Sequence, residues 1–375
     1  TMRVGVDVRE LQQGVRTGIG RFVESFVSEA PGLRPDLKLF LYGDANTRLD
    51  LEKGLPGKDL GDAPRVQQRV LCQPTTLWFD QLALPLALAR DRIDVFLSPY
   101  YKAPLSSPCP TVVTLHDVLF LKVGYHRLKN VFFGPWSRLI ASQAAAVLTD
   151  SEYSRRDLEN VLGLRTARIE VVPLGVSPHF SPSASRGAAT LARRLGLPNH
   201  YLLSVTNFRP HKNDALLIRA FAGVAAHVPD LALVLAGRGA KSAEKLRRLV
   251  ERLQLKDKVV FTGVIPEEDL PALYAGARVF ALPSLYEGFG LPVLEAMASG
   301  VPVLCSNTSA LPEVAGEGAV LLDPEDEGAW QQGLRRLLRD EPFRRRLIEA
   351  GLERARHFTW EKAASRILKV LEEAS

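Results

Sequence analysis

Cysteine is scarce in this sequence, with three residues among 375. Cys72, Cys109 and Cys305 are odd in number and far apart, which excludes a disulfide framework and a zinc site built on cysteine spacing. We therefore expect a protein of the reducing cytoplasm. The first residues enter a strand pattern directly at Met2, so the sequence predicts no secretory leader.

Long apolar runs and a dominant charge are also lacking. No apolar run is long enough to cross a bilayer, so any contact with the inner face of the membrane would be peripheral. Lys and Arg number 48 against 42 Asp and Glu, and the net charge of +6 is spread over both halves. Nucleic-acid domains usually concentrate positive charge on one module, so nucleic acid is not an expected partner. An anionic ligand or an acidic lipid surface fits this charge better.

One stretch could provide a membrane contact. Cations and aromatic side chains are mixed between residues 121 and 139, namely Lys122, Tyr125, His126, Arg127, Lys129, Phe132, Phe133, Trp136 and Arg138. If exposed, this patch would favour a lipid-linked ligand. An amphipathic helix with its aromatics packed inward explains the same pattern equally well.

The length favours two domains, because 375 residues exceed the usual single hydrophobic core. Short apolar runs alternate with helical patterns in both halves, which predicts two α/β domains with doubly wound, mainly parallel sheets. The predicted strands cover residues 3–8, 37–42, 95–97, 111–115, 146–148, 169–172, 201–205, 231–236, 259–261, 279–282, 301–305 and 319–321. A change in composition predicts a first domain over residues 1–180, a linker over 181–200 and a second domain over 201–359.

A glycine-rich turn after the strand at 279–282 suggests an anion site. The segment from Ser284 to Ala298 is SLYEGFGLPVLEAMA, in which Gly288 and Gly290 let the backbone approach a ligand closely. The amides of Gly290 and Leu291 would face the ligand from the start of a helix, where the helix dipole places roughly half a positive charge. A phosphate or diphosphate is the predicted ligand. We place Glu295 in the first turn of this helix, on the same side.

A second basic loop follows the strand at 201–205. The residues from Thr206 to Asn213 are TNFRPHKN, and the cations Arg209 and Lys212 could neutralise a diphosphate in place of a metal. No Asp-x-Asp pair, which would hold a divalent metal on a diphosphate, occurs in the sequence. The acidic residues 323–327 are expected to cap a helix. We predict no metal and no bound cofactor, with a solvated basic turn as the alternative for this loop.

The first domain contains a glycine loop, Thr17 to Arg21, after its first strand. A dinucleotide fingerprint would need a small residue where Val23 stands, so a nicotinamide cofactor is not expected. The alternative for Gly18 is a simple turn.

The segment from Ser284, continued through the GVPV of residues 300–303, resembles the E-x7-E signature of the family 4 retaining glycosyltransferases, with Glu287 and Glu295 as the two glutamates. This family has the GT-B fold, in which two Rossmann-like domains face a central cleft. The resemblance spans nearly the whole chain and is densest from residue 201 to 324. It implies transfer of a hexose from a nucleotide sugar to a hydroxyl acceptor with retention, and a last helix, 360–375, that packs back on the first domain.

The resemblance also implies roles for residues of the second domain. Glu295 would accept hydrogen bonds from the nucleotide ribose, and Glu287 would lie at the transferred sugar. Arg209 and Lys212 would stabilise the leaving diphosphate. Backbone groups would hold the donor at Val264, beside the base, and at Gly288, Phe289, Gly290 and Leu291, beside the sugar and the diphosphate.

In the first domain, the resemblance implies that the glycine loop lies beside the donor diphosphate and the acceptor. Gly18 would contact both, and Arg21 the acceptor. His116 and Asp117 match a His-Asp step of the family. His116 would form hydrogen bonds with the transferred sugar and the acceptor hydroxyl, and Asp117 would lie on the acceptor side.

The donor is suggested by two further strings, residues 99–101 and 115–122, which resemble bacterial mannosyltransferases of surface-polysaccharide assembly. GDP-mannose is therefore the predicted donor, and a saccharide or a polyprenyl-diphosphate-linked saccharide the predicted acceptor. UDP sugars remain open, as do a sugar-nucleotide epimerase of the same fold and an inactive subunit that binds a sugar nucleotide. A phosphorylase would need a lysine-bound pyridoxal site, which the sequence does not indicate.

Overall fold

The computed structural model describes residues 1–12, 17–47, 65–122, 127–165 and 167–375. The chain divides into two compact units, one formed by residues 1–175 and 359–375 and the other by residues 176–358. Each unit is built around one parallel sheet, as the alternation of strands and helices predicts. Within the described ranges, no helix combines the length and the apolar composition that crossing a membrane requires.

The first unit contains a seven-stranded parallel sheet in the order β3-β2-β1-β4-β5-β6-β7. Its strands are β1 (Arg3–Asp7), β2 (Lys38–Gly43), β3 (Val66–Val70), β4 (Val95–Ser98), β5 (Thr111–Thr114), β6 (Ala146–Thr149) and β7 (Ile169–Val171). The central strands are buried on both faces, which explains their continuous apolar runs. β1 pairs with both β2 and β4, so the strand order reverses there, and ligands of such sheets bind at the carboxyl ends beside that reversal.

The helices of this unit are α1 (Gly18–Leu33), α2 (Thr76–Trp78), α3 (Leu84–Arg90), α4 (Leu119–Lys122), α5 (Arg127–Gln143) and α6 (Glu152–Asn160). The hydroxyl of Thr17 caps α1 by accepting a hydrogen bond from the Gly20 amide at 3.0 Å. A π-helical turn, Phe79–Ala83, joins α2 to α3. In the predicted membrane patch, residues 123–126 and the side chains of residues 127–132 lie outside the described part, so the patch stays a prediction.

The second unit contains a six-stranded parallel sheet in the order β10-β9-β8-β11-β12-β13. Its strands are β8 (His200–Thr206), β9 (Leu231–Gly237), β10 (Val259–Gly263), β11 (Val279–Leu282), β12 (Val303–Ser306) and β13 (Ala319–Leu322). Its helices are α7 (Ser185–Leu195), α8 (Asp214–Ala225), α9 (Ala240–Arg252), α10 (Leu270–Ala275), α11 (Leu291–Ala298), α12 (Leu311–Ala315), α13 (Glu327–Arg339) and α14 (Glu341–Ala355). β8 pairs with β9 and β11, so the strand order of this sheet reverses between β8 and β11.

The range 181–200 is not the linker that the sequence predicts. It contains α7, which packs against α10 inside the second unit and buries Leu191. The Ser, Pro and Arg residues of this range indicate a linker, but the helix turns its polar residues to solvent and needs only a narrow apolar stripe. The division between the units therefore falls between Gly175 and Val176.

The last helix, α15 (Trp360–Ala374), belongs to the first unit and packs against α1. Thr359 caps it by accepting a hydrogen bond from the Lys362 amide at 3.2 Å. Its apolar stripe, which includes Ile367 and Leu371, is buried, so this helix completes the core of the first unit.

Candidate active site

Lys212 and Glu287 meet at the carboxyl edge of the second sheet. Lys212 lies in the short 3-10 turn after β8, and Glu287 lies in the loop after β11. Lys212 Nζ donates a hydrogen bond to Glu287 Oε1 at 2.6 Å, and the two side chains are only 11% and 13% exposed. Because β8 and β11 are neighbours, residues that are 75 positions apart in the sequence form one ion pair at the reversal of the strand order.

The loop that carries Glu287 is fixed by further hydrogen bonds. Ser284 Oγ donates to Glu287 Oε1 at 2.6 Å, and the Glu287 amide donates to Ser309 Oγ at 2.9 Å. The Leu285 amide donates to the carbonyl oxygen of His211 at 2.7 Å, which ties this loop to the lysine turn. Since hydrogen bonds to ionised groups are short and strong, the carboxylate is held in position before any ligand binds.

The turn that carries Lys212 is compact. Asn213 has a φ of +54°, a left-handed conformation that asparagine tolerates better than most residues. His211 is buried, and its burial, together with the charge of Lys212, lowers its pKa to about 4. His211 is therefore neutral at physiological pH. Arg209 is exposed on the same turn, where its amide donates to Asn207 Oδ1 at 3.2 Å.

Gly290 sets the geometry of the glycine-rich turn at the start of α11. Its φ is +108°, which strains any residue with a Cβ, and a Cβ at this position would lie 2.7 Å from the Leu311 side chain, which would have to move. Gly288 and Phe289 are buried, and the Phe289 ring packs edge to face against Phe358 at 5.8 Å. Leu291 is the first residue of α11, so its amide has no partner within the helix and is available to an anion. Pro292 has no N–H, and the Val293 amide donates to the Gly290 carbonyl oxygen at 2.9 Å.

Glu295 lies deeper than the sequence suggests. α11 begins at Leu291, so Glu295 is its fifth residue and lies in the second turn, and the prediction of a first-turn position is wrong. The side chain is buried, and its Oε2 accepts a hydrogen bond from the Tyr274 hydroxyl at 2.7 Å. Val264, the residue predicted to lie beside the base, is 59% exposed directly after β10.

The first unit places His116 at the carboxyl edge of its own sheet. His116 Nδ1 lies 2.8 Å from Asp150 Oδ2, and its Nε2 lies 3.1 Å from the Pro99 carbonyl oxygen. The ring also packs edge to face on Phe22 at 5.3 Å. Burial lowers the pKa of His116, but the charge and hydrogen bond of Asp150 raise it more, so the pKa lies above its ordinary value. The imidazole is thus fixed in orientation by a carboxylate.

Three other predicted residues of this unit lie at helix starts. Asp117 Oδ1 accepts a hydrogen bond from the Leu119 amide at 2.9 Å, and so fixes the start of α4. Gly18 is exposed at the first position of α1, and Arg21 is half-buried one turn further along that helix. The structure thus groups Lys212 with Glu287 in one unit, while the predicted residues of the first unit stand at separate loops of its sheet.

The sequence analysis missed a buried polar cluster after β1. Arg9 Nη2 donates to Asp7 Oδ2 at 2.6 Å and to Asp80 Oδ1 at 2.5 Å, and the Tyr100 hydroxyl donates to Asp7 Oδ2 at 3.0 Å. The guanidinium stacks on Phe79 at 3.8 Å. An Asp-x-Arg step directly after an apolar strand was the available signal. Asp150 follows β6 in the same way.

The acidic residues 323–327 of the second unit cap the start of a helix, as the sequence predicts. Asp326 Oδ1 accepts a hydrogen bond from the Ala329 amide at 2.9 Å at the start of α13, and Asp323 Oδ1 accepts one from the Glu325 amide at 2.8 Å. In the part of the chain that the structure describes, no three His, Cys, Asp or Glu side chains form a group that could hold a metal ion.

Both units match families of known proteins. Residues 193–354 match the family of glycosyl transferases group 1, and residues 16–180 match glycosyltransferase family 4. The O-antigen chain mannosyltransferase B of Escherichia coli is 33% identical over 261 residues, which cover 68% of each chain. A D-inositol 3-phosphate glycosyltransferase of Corynebacterium diphtheriae is 33% identical over 280 residues, 71% of this chain and 66% of that protein. The sucrose-phosphate synthase of Thermosynechococcus elongatus superposes with a TM-score of 0.79 at 21% identity, over 100% of this chain and 99% of that one.

Proposed function

Because this chain belongs to glycosyltransferase family 4, we propose that it moves mannose from GDP-mannose to a hydroxyl group of a saccharide, with retention at the anomeric carbon and without a metal ion. The family and the two parallel sheets confirm the predicted GT-B fold and the prediction of a glycosyltransferase. The donor, the stereochemistry and the metal independence are the parts that we propose.

The Lys212–Glu287 pair at the reversal of the second sheet is the observation that carries the proposal. A buried lysine offers a diphosphate a positive charge that water screens only weakly. The start of α11 adds the Leu291 amide and the positive end of a helix dipole. Lys212 and α11 therefore provide positive charge without a metal, and exposed Arg209 can add a bidentate contact to phosphate oxygens.

Chemistry at such a site depends on charge that develops during the reaction. When the bond from the anomeric carbon to the diphosphate breaks, negative charge grows on the leaving oxygen, and Lys212 and the Leu291 amide stabilise it. One such fixed donor contributes about 10²–10³ in rate. Both hydrogen bonds to Glu287 converge on Oε1, so we assign Oε2 to a hydroxyl of the sugar or to the developing positive charge at its anomeric carbon.

Residues of the first unit would orient the acceptor. In the free protein both ring nitrogens of His116 have partners, so we assign an acceptor hydroxyl to Nε2 in place of the Pro99 carbonyl oxygen, while Asp150 holds Nδ1. Arg21 and Gly18, at the start of α1, would contact the acceptor beside it. A saccharide or a lipid-linked saccharide supplies such hydroxyl groups, and peripheral contact with a membrane would present a lipid-linked acceptor.

The mannosyl donor is supported by the relative at 33% identity whose name is a mannosyltransferase. The D-inositol 3-phosphate glycosyltransferase at the same identity supports a second candidate, transfer of a sugar to a phosphorylated inositol. The phosphate group of that acceptor would need a cation beside it, a role that Arg21 could take. A UDP sugar is the alternative donor for either acceptor.

Donor and acceptor are best tested separately. Titration calorimetry with GDP-mannose, UDP-glucose and UDP-N-acetylglucosamine in the presence of EDTA measures the donor preference directly. We expect GDP-mannose to bind most tightly and EDTA to leave its affinity unchanged. Selective binding of UDP sugars, or loss of binding in EDTA, would contradict the donor or the metal independence.

Turnover then tests the reaction. Incubation with the preferred donor and either a mannoside or inositol 3-phosphate should release nucleotide only with the correct acceptor, and nuclear magnetic resonance of the product should show the anomeric configuration of the donor. An inverted product would contradict retention. Conversion of the donor without any acceptor would identify an epimerase instead.

A further inference from the structure

Asp214 is a buried carboxyl group two residues after Lys212, at the start of α8. The residue is 3% exposed. Thr206 Oγ1, at the end of β8, donates a hydrogen bond to Asp214 Oδ2 at 2.8 Å, whereas Oδ1 is buried without any hydrogen-bond partner. Within the described ranges, this carboxylate is thus only half satisfied, and a buried oxygen that lacks a partner is costly when it is charged.

The groups that face Asp214 come from three elements, and two of these groups are charged. Lys212 stands on the 3-10 turn, Glu287 on the loop after β11, and Thr206 at the end of β8 adds a neutral hydroxyl. His211 is neutral at physiological pH, as described above. Burial and the negative charge of Glu287 act against ionisation of Asp214, Lys212 and the Thr206 hydrogen bond act for it, and its pKa is raised to about 6.

We propose that the Asp214 carboxyl group takes up a proton from solvent when the diphosphate of a nucleotide sugar binds beside Lys212. This inference rests on the proposed function, because it places the diphosphate at Lys212. The group of Lys212, Glu287 and ionised Asp214 carries one positive and two negative charges. A bound diphosphate adds negative charge and draws the Lys212 ammonium group towards itself. The ionised form of Asp214 then loses the attraction of this ammonium group, so the carboxyl group becomes neutral.

Asp214 therefore acts as a positioning residue for Lys212. In the free protein, its charge and that of Glu287 keep the ammonium group inside the turn. With a diphosphate bound, protonation of Asp214 removes one of the two negative charges that attract Lys212. Lys212 can then bind the phosphate oxygens more strongly. The consequence is an affinity for nucleotide sugars that falls as the pH rises, by linkage of ligand binding to proton uptake.

The experiment uses titration calorimetry of the whole protein with GDP-mannose and UDP-glucose between pH 6 and pH 8. A nucleotide sugar is the suitable probe, since the terminal phosphate of a nucleoside diphosphate itself titrates near pH 6. For the wild type, we expect the dissociation constant to rise about tenfold or more over this range. At pH 7, measurements in two buffers with different heats of ionisation should show uptake of most of one proton.

Asp214→Asn keeps the shape of the side chain and is permanently neutral. We expect this variant to bind the nucleotide sugar with an affinity that does not depend on pH, about tenfold more tightly than the wild type at pH 8. A merely structural role would instead weaken binding at every pH. The matched control is Asp257→Asn, an exposed carboxylate just before β10, which should keep the wild-type dependence on pH.

The outcomes separate this inference from the proposed function. Binding of either nucleotide sugar by the wild type without proton uptake overturns the inference and leaves the proposed function standing. A wild-type pH dependence in Asp214→Asn also overturns it. If no nucleotide sugar binds the wild type at any pH, both the proposed function and the inference are wrong.

Discussion

Replacing Lys212 by methionine removes the ammonium group and keeps most of the apolar stem. The Nζ–Oε1 distance to Glu287 is 2.6 Å, and the two side chains are 11% and 13% exposed. Leaving one member of a fully buried ion pair without its partner costs about 3–5 kcal/mol. The residual exposure and the remaining Ser284 hydrogen bond reduce this cost, so we expect the free energy of unfolding to fall by about 2 kcal/mol.

The loss in catalysis should exceed the loss in stability. Lys212 is the buried cation that we place at the leaving diphosphate, and removal of one such fixed donor lowers kcat by about 10²–10³. The assay combines urea unfolding, followed by circular dichroism, with release of nucleotide at saturating donor. Lys256→Met is the matched control, since Lys256 forms an exposed pair with Glu251 at 3.0 Å, and such pairs contribute about 0–1 kcal/mol.

A double-mutant cycle tests the pairing itself. Glu287→Gln added to Lys212→Met removes the uncompensated charge, so the double variant should be more stable than the sum of the two single effects predicts, by about 1–2 kcal/mol. Additive losses of stability would refute the ion pair as an energetic unit. Wild-type turnover in Lys212→Met would refute its role at the leaving group.

Three further changes test other parts of the site. Gly290→Ala should destabilise the protein by about 1–2 kcal/mol and weaken nucleotide binding, because the φ of +108° is strained for alanine. The control is Gly32→Ala, which has open space around its Cα and should be neutral or stabilising in the same urea titration. Tyr274→Phe removes the hydrogen bond to Glu295, so we expect the free energy of unfolding to fall by about 1.5–3 kcal/mol, and an unchanged value would show that this hydrogen bond does not stabilise the fold. The raised pKa of His116 implies that the hydrogen bond to its carboxylate partner stabilises the fold below about pH 6.5 and that this contribution is lost as the pH rises through the raised value. Unfolding of the wild type and His116→Gln across pH 5 to 9 should therefore show a difference that shrinks at high pH, and a constant difference would contradict the assignment.

The alternation of apolar runs and helical patterns was sufficient to predict the two parallel sheets. Twelve predicted strands recur in the structure within about two residues at either end, a typical boundary error. β3 was missed, since Val66–Val70 carries Gln, Gln and Arg between its two valines and forms the edge of the sheet, where only part of a strand is buried. Helix α7 was missed because its apolar stripe is narrow.

The sequence also predicted which loops lie at the carboxyl edge of a sheet, since glycines, prolines and cations follow an apolar strand there. Gly290 illustrates this, because its φ of +108° favours glycine over every residue with a Cβ. Local sequence thus determined the conformation of this turn.

Which side chains meet was decided by the tertiary structure alone. β9 and β10 separate β8 from β11 in the sequence, yet β8 and β11 are neighbours in the sheet, and only this order brings Lys212 to Glu287. Buried strands have similar apolar runs, so their pattern does not specify their neighbours. The raised pKa of Asp214 and the position of Glu295 beneath Tyr274 likewise depend on burial by distant segments, which no local pattern of residues contains.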